Sequence, residues 1–277
     1  MFVAVVLTPL PTPEVPTTTH VYDASGAVVS SLFVQNRIEI PFAEMPLSLR
    51  QAVIAAEDST FYTHHGFSLK SIARALLRNI EARKIVEGGS TITQQLAKNM
   101  FLGPERSLSR KVREAFLTIN LEMTYSKDEI LGMYLNQIYL GHGTYGVEAA
   151  SRHYFGKPTK ELTLPESALL AGLIRSPERY SPFNSLRLAT ERRNFVLDRM
   201  NELGMIDAAT LTKAKATRIS VTKRPPPSQM APYFVDYVIS QLNEVAPEIV
   251  PHIYTGGYRI HTSLDLEIQR AAEKAFT

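Results

Sequence analysis

The chain has 277 residues, of which 44% are hydrophobic, and this composition excludes a disordered polypeptide and suits one large core or two modest ones. It contains no cysteine, so a disulfide framework and a thiolate metal site are excluded. The net charge is only +3, but the segment from Lys98 to Glu114 holds five basic and two acidic residues and so carries +3 by itself. A local positive field of this kind attracts phosphates, nucleic acid or an acidic lipid surface.

The N-terminal residues predict a tether near a membrane. Met1 to Leu7 is apolar, but it is far shorter than the ~20 residues that cross a bilayer. Four prolines follow between Pro9 and Pro16, and such a segment is extended. We expect residues 1–20 to be a membrane-proximal, proline-rich tether.

A β-hairpin and then a series of helices are predicted next. β-Branched runs over 21–34 flank the turn residues 23–26, which is the pattern of a hairpin. Residues 49–56 form an apolar-rich helix whose end delivers Glu57. Apolar residues recur at helical spacing over 69–80 and predict an amphipathic helix.

The later helices carry their own start and stop signals. Ser126 to Glu129 and Thr163 to Glu166 are capping boxes, each at the head of a helix. The segment 190–203 is predicted to be helical and to end at Gly204, and Asp207 caps a further short helix.

The C-terminal part is predicted to be a separate α/β segment. Prolines over 225–227 mark a boundary, 258–262 is predicted to be a strand, and a helix begins near Leu264. The predicted domains are therefore 21–222 and 223–277, after the tether.

Two glutamates and a basic segment supply the candidate chemistry. Glu57 lies where an apolar helix meets a polar loop, and a partly desolvated carboxylate there is a better base; the alternative is a water-exposed carboxylate at a helix end. The turn 88–91 offers N–H groups and hydroxyls to an oxyanion, although it lacks the spacing of a nucleotide-binding P-loop. Arg110 and Glu114 are four residues apart, which also fits an ordinary ion pair on a solvated helix.

Three histidines and a Ser-x-x-Lys sequence are given structural interpretations. His64 and His65 are adjacent and no third metal ligand is obvious, so we interpret His64 as a structural hydrogen-bonding residue and His142 as a loop residue. The Ser-x-x-Lys sequence at 220–223 stands without the other motifs of penicillin-reacting enzymes and is interpreted as linker.

Taken in order, five motifs resemble those of the peptidoglycan glycosyltransferases, glycosyltransferase family 51. They are Glu-Asp-x-x-Phe-x-x-His-x-Gly at 57–66, Gly-x-Ser-Thr-Ile-Thr-Gln-Gln-Leu-x-Lys-Asn at 88–99, Arg-Lys-x-x-Glu at 110–114, Lys-x-x-Ile-Leu-x-x-Tyr-Leu-Asn at 127–136 and Arg-Asn-Phe-Val-Leu through Met at 193–200.

The resemblance runs from about residue 21 to about residue 203, with one departure. Gly132 stands where family members usually have glutamate, and we expect a locally altered helix there without loss of chemistry. The segment 257–272 resembles the linker to the transpeptidase of class A penicillin-binding proteins.

The resemblance implies a mainly α-helical, two-lobed, lysozyme-like glycosyltransferase domain with a small jaw lobe that faces the membrane. The implied reaction is polymerisation of lipid II into β-1,4-linked strands, with inversion at the donor carbon and release of undecaprenyl pyrophosphate. Glu57 is the implied base, and Glu114 orients the cationic groups or assists departure of the pyrophosphate. The implied substrate-binding residues are Asp58, Ser90, Thr91, Gln94, Gln95, Lys98, Asn99, Arg106, Arg110, Lys111 and Asn136.

The resemblance also implies the surroundings of the domain. The partners are lipid II, the lipid-linked glycan strand, the membrane surface and other cell-wall synthesis and division proteins, with no nucleic acid. The expected location is the extracytoplasmic face of the cell membrane, with an N-terminal transmembrane anchor that is absent from this chain. No cofactor is required, and the sequence leaves open a divalent cation, Mg²⁺ or Mn²⁺, that bridges Glu114 or Asp58 to pyrophosphate.

Two alternative functions remain at this stage. A lysozyme-like glycoside hydrolase would also use two carboxylates, but its neutral leaving group gives no reason for a basic cleft. A non-catalytic lipid II-binding module would not need Glu57.

Overall fold

The computed structural model describes residues 18–32, 36–68, 89–102, 107–222 and 231–276, and it is mostly helical, as predicted. The strands are β1 Thr19–Tyr22, β2 Val28–Leu32, β3 Asn36–Arg37, β4 Thr144–Tyr145 and β5 Arg259–His261. The α-helices are α1 Leu47–Glu57, α2 Ile92–Phe101, α3 Leu108–Thr124, α4 Lys127–Gln137, α5 Val147–Phe155, α6 Leu164–Leu173, α7 Pro177–Tyr180, α8 Leu186–Glu202, α9 Ala208–Ala216, α10 Pro232–Val245 and α11 Leu266–Phe276.

The chain forms two compact units. The larger unit contains the described residues from Ile38 to Thr222, and the smaller contains those from Thr18 to Arg37 and from Ala231 onward. Short 3₁₀ helices lie at Phe42–Glu44, Phe61–Thr63 and Thr159–Glu161 in the larger unit and at Val250–His252 in the smaller.

The larger unit is built from helices packed in two groups. Helix α8 packs against α6 and α1, while α2 packs against α3 and α4. One continuous hydrophobic core runs through both groups, because each helix turns an apolar stripe inward. Its fully buried members include Leu49, Val53, Leu96, Leu121, Ile130, Leu135, Leu170, Val196 and Met200. The core therefore joins α1 and the helices that carry the second, third and fourth motifs in one hydrophobic cluster.

The two predicted capping boxes are confirmed. Ser126 and Glu129 bond each other's backbone N–H at the head of α4, and Thr163 and Glu166 form the same box at the head of α6. Helix α8 begins at Leu186, earlier than predicted, because the Ser185 side chain caps it.

The glycine that departs from the fourth motif does not alter its helix. Helix α4 runs unbroken from Lys127 to Gln137, so the expectation of a locally altered helix at Gly132 was wrong. Gly132 is buried against Phe42, and a Cβ built on it would lie 3.4 Å from the ring. A longer side chain at 132 would have to displace that ring.

The smaller unit contains a three-stranded sheet in the order β2-β1-β5. Strand β1 pairs antiparallel with β2 and parallel with β5, which confirms the predicted hairpin and the predicted C-terminal strand. The Asp23 carboxylate accepts N–H bonds from Ser25 and Ala27, both at 2.8 Å, and thereby closes the turn. A second hydrophobic cluster covers the sheet, with Val21, Val29, Leu32, Val235, Ile253 and Leu266.

This pairing changes the domain limits from those expected. The expected limits placed the hairpin with the glycosyltransferase domain at 21–222, but its strand β1 takes β5 as a backbone partner. The hairpin therefore groups with the C-terminal segment, because β5 pairs with the side of β1 that the hairpin itself leaves open.

Several expectations fall outside the described ranges. They are the tether up to residue 17, the helix over 69–80, Gly88, Arg106 and the prolines over 225–227. Among the residues that are described, no helix has the length and apolar character needed to cross a membrane.

Candidate active site

Glu57 is the last residue of α1, and its carboxylate points toward α2. The helix is apolar along the face that packs on α6 and α8, which leaves Glu57 half-buried at the point where the chain turns into the polar loop. The Gln95 amide donates a hydrogen bond from Nε2 to Glu57 Oε2 at 3.0 Å. The carboxylate is therefore held by a neutral donor, which leaves it available as a proton acceptor.

The surroundings of Glu57 raise its pKa. Burial is the main cause, since the charged form loses solvation, and the neighbouring Asp58 carboxylate adds to the rise. The Gln95 hydrogen bond and the charges of Arg192 and Arg175 oppose the rise without cancelling it. A carboxyl group with a raised pKa is a stronger base once it is ionised, as general-base catalysis requires.

The adjacent carboxylate, Asp58, fastens the loop to helix α2. Its Oδ2 accepts a hydrogen bond from His64 Nε2 at 2.8 Å and another from the backbone N–H of Ile92 at 3.1 Å. Asp58 is buried at the start of α2, where its carboxylate is little screened by solvent and is attracted to the positive end of the helix dipole. His64 is confirmed as a structural hydrogen-bonding residue.

The Gly-Ser-Thr turn leads into a helix whose first N–H groups are already satisfied. Thr91 and Gln94 form a capping box, and the Thr91 hydroxyl also donates to the carbonyl of Gly66 at 2.6 Å. Because Asp58 takes the Ile92 N–H and Thr91 takes the Gln94 N–H, these two donors are not directed at a ligand. Ser90, by contrast, is exposed beside this helix start.

Helix α3 carries a carboxylate and two cations of the third motif. Glu114 is buried and forms an ion pair with Lys111, whose side chain is half exposed. Arg110 has its Nε atom buried without a hydrogen-bond partner among the described residues. A buried guanidinium N–H of this kind is a donor available to an anionic ligand.

The remaining predicted residues lie on α2 and α4. Lys98 is half-buried one turn after Gln95 on α2, and Asn99 is exposed next to it. The Asn136 side chain bonds both backbone groups of Ile40, accepting from N at 3.2 Å and donating to O at 3.0 Å. Asn136 therefore fixes the segment around Ile40, which leaves its amide little capacity for a ligand.

Three residues near Glu57 were not predicted as site residues. Tyr134 donates its hydroxyl to Gln95 Oε1 at 2.9 Å, and Arg192 and Arg175 act on Glu57 by charge. Arg192 donates to the Gly172 carbonyl at 3.3 Å, and its guanidinium lies 4.7 Å from the Phe195 ring centroid. Arg192 could have been suspected from the sequence because it directly precedes the fifth motif. Tyr134 could have been suspected only because it belongs to the fourth motif.

The neighbouring Arg193, which opens the fifth motif, has a structural task. Its buried guanidinium donates to the carbonyls of Thr217 at 2.6 Å and Lys215 at 3.0 Å. These carbonyls lie at the end of α9, so Arg193 satisfies the C-terminus of that helix.

Known proteins resemble this chain over most of its length. Residues 25–201 match the family model described as Transglycosylase. The chain is 42% identical to penicillin-binding protein 1F of Bacillus subtilis over 253 residues, which is 91% of this chain and 35% of that protein. It is 42% identical to penicillin-binding protein 1A of Aquifex aeolicus over 264 residues, 94% of this chain and 35% of that protein.

A solved structure shares the fold. The crystal structure of penicillin-binding protein 1A from Haemophilus influenzae matches with a TM-score of 0.54 and 26% identity, over 96% of this chain and 29% of that one. The chain thus spans about a third of the length of these relatives. It belongs to the transglycosylase family, which confirms the resemblance to peptidoglycan glycosyltransferases that its five ordered motifs predicted.

Proposed function

We propose that this peptidoglycan glycosyltransferase domain polymerises lipid II into β-1,4-linked glycan strands and releases undecaprenyl pyrophosphate. The observation that carries the proposal is the half-buried Glu57 carboxyl, which has a raised pKa and accepts a hydrogen bond from a neutral amide, within a chain of the transglycosylase family. A proton acceptor in this state suits activation of a sugar hydroxyl.

In the proposed step, Glu57 removes the proton from the 4-hydroxyl of the acceptor lipid II. The hydroxyl oxygen forms a bond to the anomeric carbon of the donor strand, and the bond from that carbon to the pyrophosphate oxygen breaks. The carbon is inverted from α to β, and the electron pair leaves with the pyrophosphate. General-base assistance contributes roughly 10²–10⁴ in rate.

Cations of the second and third motifs stabilise the charge that develops on the pyrophosphate. Arg110 is the best supported of them, since its Nε is buried and lacks a hydrogen-bond partner within the described ranges. Lys98 and Lys111 assist, and Arg106, which lies outside the described residues, is assigned the same role by family resemblance. Glu114 orients this group through its ion pair with Lys111.

The polar residues around these groups divide into two sets. Asp58, Thr91, Gln94 and Asn136 act by positioning, because their side chains are bonded to the protein itself. The exposed Ser90 and Asn99 are free to contact sugar or phosphate, and we assign them that role.

The setting of the domain is part of the proposal. A two-lobed cleft with its jaw against the extracytoplasmic face of the cell membrane, and an N-terminal membrane anchor, remain predictions from the family. The same is true of partnership with other cell-wall synthesis and division proteins, and of a divalent cation at the pyrophosphate. Both carboxylates considered for that cation already have protein partners, Lys111 for Glu114 and His64 for Asp58.

The proposal is tested with Glu57→Gln and labelled lipid II. We expect wild-type protein to form long strands that moenomycin suppresses, and the variant to lose about 10²-fold or more in rate because the amide cannot accept the proton. Polymerisation by the variant at near the native rate would remove Glu57 from the mechanism.

The two alternatives have distinct outcomes in the same assay. Release of short fragments from finished glycan would favour a hydrolase. Binding of lipid II without any product, by wild-type and variant protein alike, would favour a binding module.

The leaving-group assignment is tested with Arg110→Ala. Loss of this donor should lower the turnover rate by roughly 10²-fold, the cost of removing one stabilising donor from developing anionic charge. Arg113→Ala is the matched control, since Arg113 is exposed on the same helix α3. Equal rates for the two variants would contradict a specific role of Arg110.

A further inference from the structure

Gln95 and Tyr134 form a hydrogen-bonded relay that ends on Glu57. The Tyr134 hydroxyl donates to Gln95 Oε1 at 2.9 Å, and Gln95 Nε2 donates to Glu57 Oε2 at 3.0 Å. Three elements contribute one residue each, α4, α2 and the end of α1. We infer that Tyr134 is a positioning residue for the catalytic carboxylate, acting through the amide of Gln95.

The relay gives Gln95 a defined amide orientation. With its oxygen bonded to the Tyr134 hydroxyl, Gln95 must present its NH₂ group to Glu57. The reversed amide would place its oxygen against the Glu57 carboxylate, an unfavourable contact between two acceptors. The relay therefore favours the ionised form of Glu57, which is the form that accepts a proton.

Tyr134 is suited to serve as a fixed donor. It is fully buried on the face of α4 that packs against α2, between the core residues Ile130 and Leu135. Burial, together with the Glu57 and Asp58 charges, raises the pKa of Tyr134 well above its ordinary value. Its hydroxyl thus stays protonated throughout the pH range in which Glu57 titrates.

The two adjacent glutamines of the second motif have different tasks. Gln94 closes the capping box of α2 by accepting from the Thr91 N–H at 3.0 Å. Gln95, one residue on, points to another side of the helix and connects Tyr134 with Glu57. A Gln-Gln pair serves both purposes because successive residues on a helix face different directions.

Other groups also act on Glu57, so the relay must be separated from them. Arg192 on α8, Arg175 after α6 and Asp58 beside it supply charge, whereas Gln95 on α2 supplies a hydrogen bond. Tyr134→Phe removes only the hydroxyl and leaves all these charges in place. Its effect on Glu57 therefore reports the relay alone.

The inference rests on the proposed function, and the test uses two readouts, one of which needs no activity. The first is direct titration of the Glu57 carboxyl by NMR on ¹³C-labelled full chain, and the second is the acid limb of the pH–rate profile with lipid II. For Tyr134→Phe we expect both to move to higher pH by about 0.5–1 unit, since a charge-assisted hydrogen bond is weakened. At a fixed pH on the acid limb, the rate of Tyr134→Phe should be about three- to tenfold lower than that of the wild type, while KM stays unchanged.

Tyr154→Phe is the matched control. Tyr154 is equally buried and loses an equivalent hydroxyl bond, to the Leu140 carbonyl at 2.8 Å, away from Glu57. A similar loss of thermal stability in the two variants, with a shifted titration only in Tyr134→Phe, supports the relay. An unshifted Glu57 titration in folded Tyr134→Phe overturns it.

A second variant keeps the inference testable if Tyr134→Phe does not fold. Gln95→Leu interrupts the relay while Tyr134 remains, and it should produce an upward shift at least as large. If Gln95→Leu leaves the titration unmoved, the relay is contradicted. If the Glu57 titration shifts in the variants but neither the wild-type protein nor any variant polymerises lipid II, the relay is supported and the proposed function fails.

Discussion

At the scale of single residues, the proposed role of Glu57 as the base depends on partners that are distant in sequence. Gln95 is 38 residues away and Arg192 lies on α8, yet both act on the same carboxyl group. Burial raises the pKa of Glu57 and these partners lower it, and the net result is a raised pKa, which suits the proposed base. A carboxyl group whose pKa is raised on folding also lowers the free energy of unfolding once it is ionised, because the ionised form is better solvated in the unfolded chain.

This cost predicts the pH dependence of stability for Glu57→Gln. Between the ordinary carboxyl pKa of 4.5 and the higher folded value, the native state binds more protons than the unfolded state. The free energy of unfolding of the wild type therefore falls as pH rises through that window. Glu57→Gln lacks the titrating carboxyl and so lacks this decrease. Its free energy of unfolding should therefore exceed that of the wild type at pH values above the window, and the difference should disappear below it.

Urea unfolding at several pH values measures the effect. The gain should amount to about 1.4 kcal/mol for each unit by which the Glu57 pKa is raised. Glu161→Gln, at an exposed position, is the control for simple removal of a negative charge. A stability difference between Glu57→Gln and wild type that does not change with pH would show that folding does not raise the pKa of Glu57.

At the scale of elements, the start of α2 is the junction of the site. The Asp58 carboxylate accepts a hydrogen bond from the first backbone N–H of α2, that of Ile92, and the Thr91 hydroxyl donates to the Gly66 carbonyl. The Thr93 hydroxyl donates to the Glu122 carboxylate of α3 at 2.5 Å. Gly66 itself has φ +85°, and a Cβ there would approach the Thr118 methyl of α3 to 2.8 Å. The loop after Glu57 is thus fixed between α2 and α3, which gives the carboxylate a constant position.

The hydrogen bonds that the Asp58 carboxylate accepts from His64 and from the Ile92 N–H clamp the loop to α2, and their loss should destabilise the larger unit. In Asp58→Asn the amide keeps at most part of the bonding and loses the charge-assisted hydrogen bonds to His64 and the Ile92 N–H. We expect a decrease of about 1–3 kcal/mol in the free energy of unfolding, measured by urea denaturation.

Asp198→Asn supplies the comparison for this variant. Asp198 is 43% exposed in its ion pair with Lys215, so its loss should cost less than about 1 kcal/mol. Equal midpoints for the two variants would mean that Asp58 does not clamp the loop to α2.

At the scale of the whole molecule, the chain combines a helical glycosyltransferase unit with a small α/β unit made from both ends of the chain. Thr262 donates from its backbone N–H and its hydroxyl to the carbonyl of Tyr22, across 240 residues of sequence. The Tyr22 ring also stacks on His261, with centroids 4.8 Å apart. The relatives are about three times as long as this chain, so the activity of a complete protein remains a proposal.

The elements were largely predictable because their signals are local. The capping boxes at Ser126 and Thr163 and the turn at Asp23 satisfy backbone groups within a few residues, so the sequence alone specifies them. The extent of α8 was underestimated because the Ser185 cap lies outside its most regular apolar pattern. The five motifs likewise identified the family without any coordinates.

By itself, the sequence determined the helical class and the family, since these follow from residue types at short spacing. The family resemblance in turn implied Glu57 as the candidate base. Only the tertiary structure decided which side chains act together. Asn136 is occupied by the Ile40 backbone, Arg193 satisfies carbonyls at the end of α9, and Tyr134 reaches Glu57 through Gln95. Such contacts join residues that are far apart in the chain, and they are set by how the helices pack, which no local pattern records.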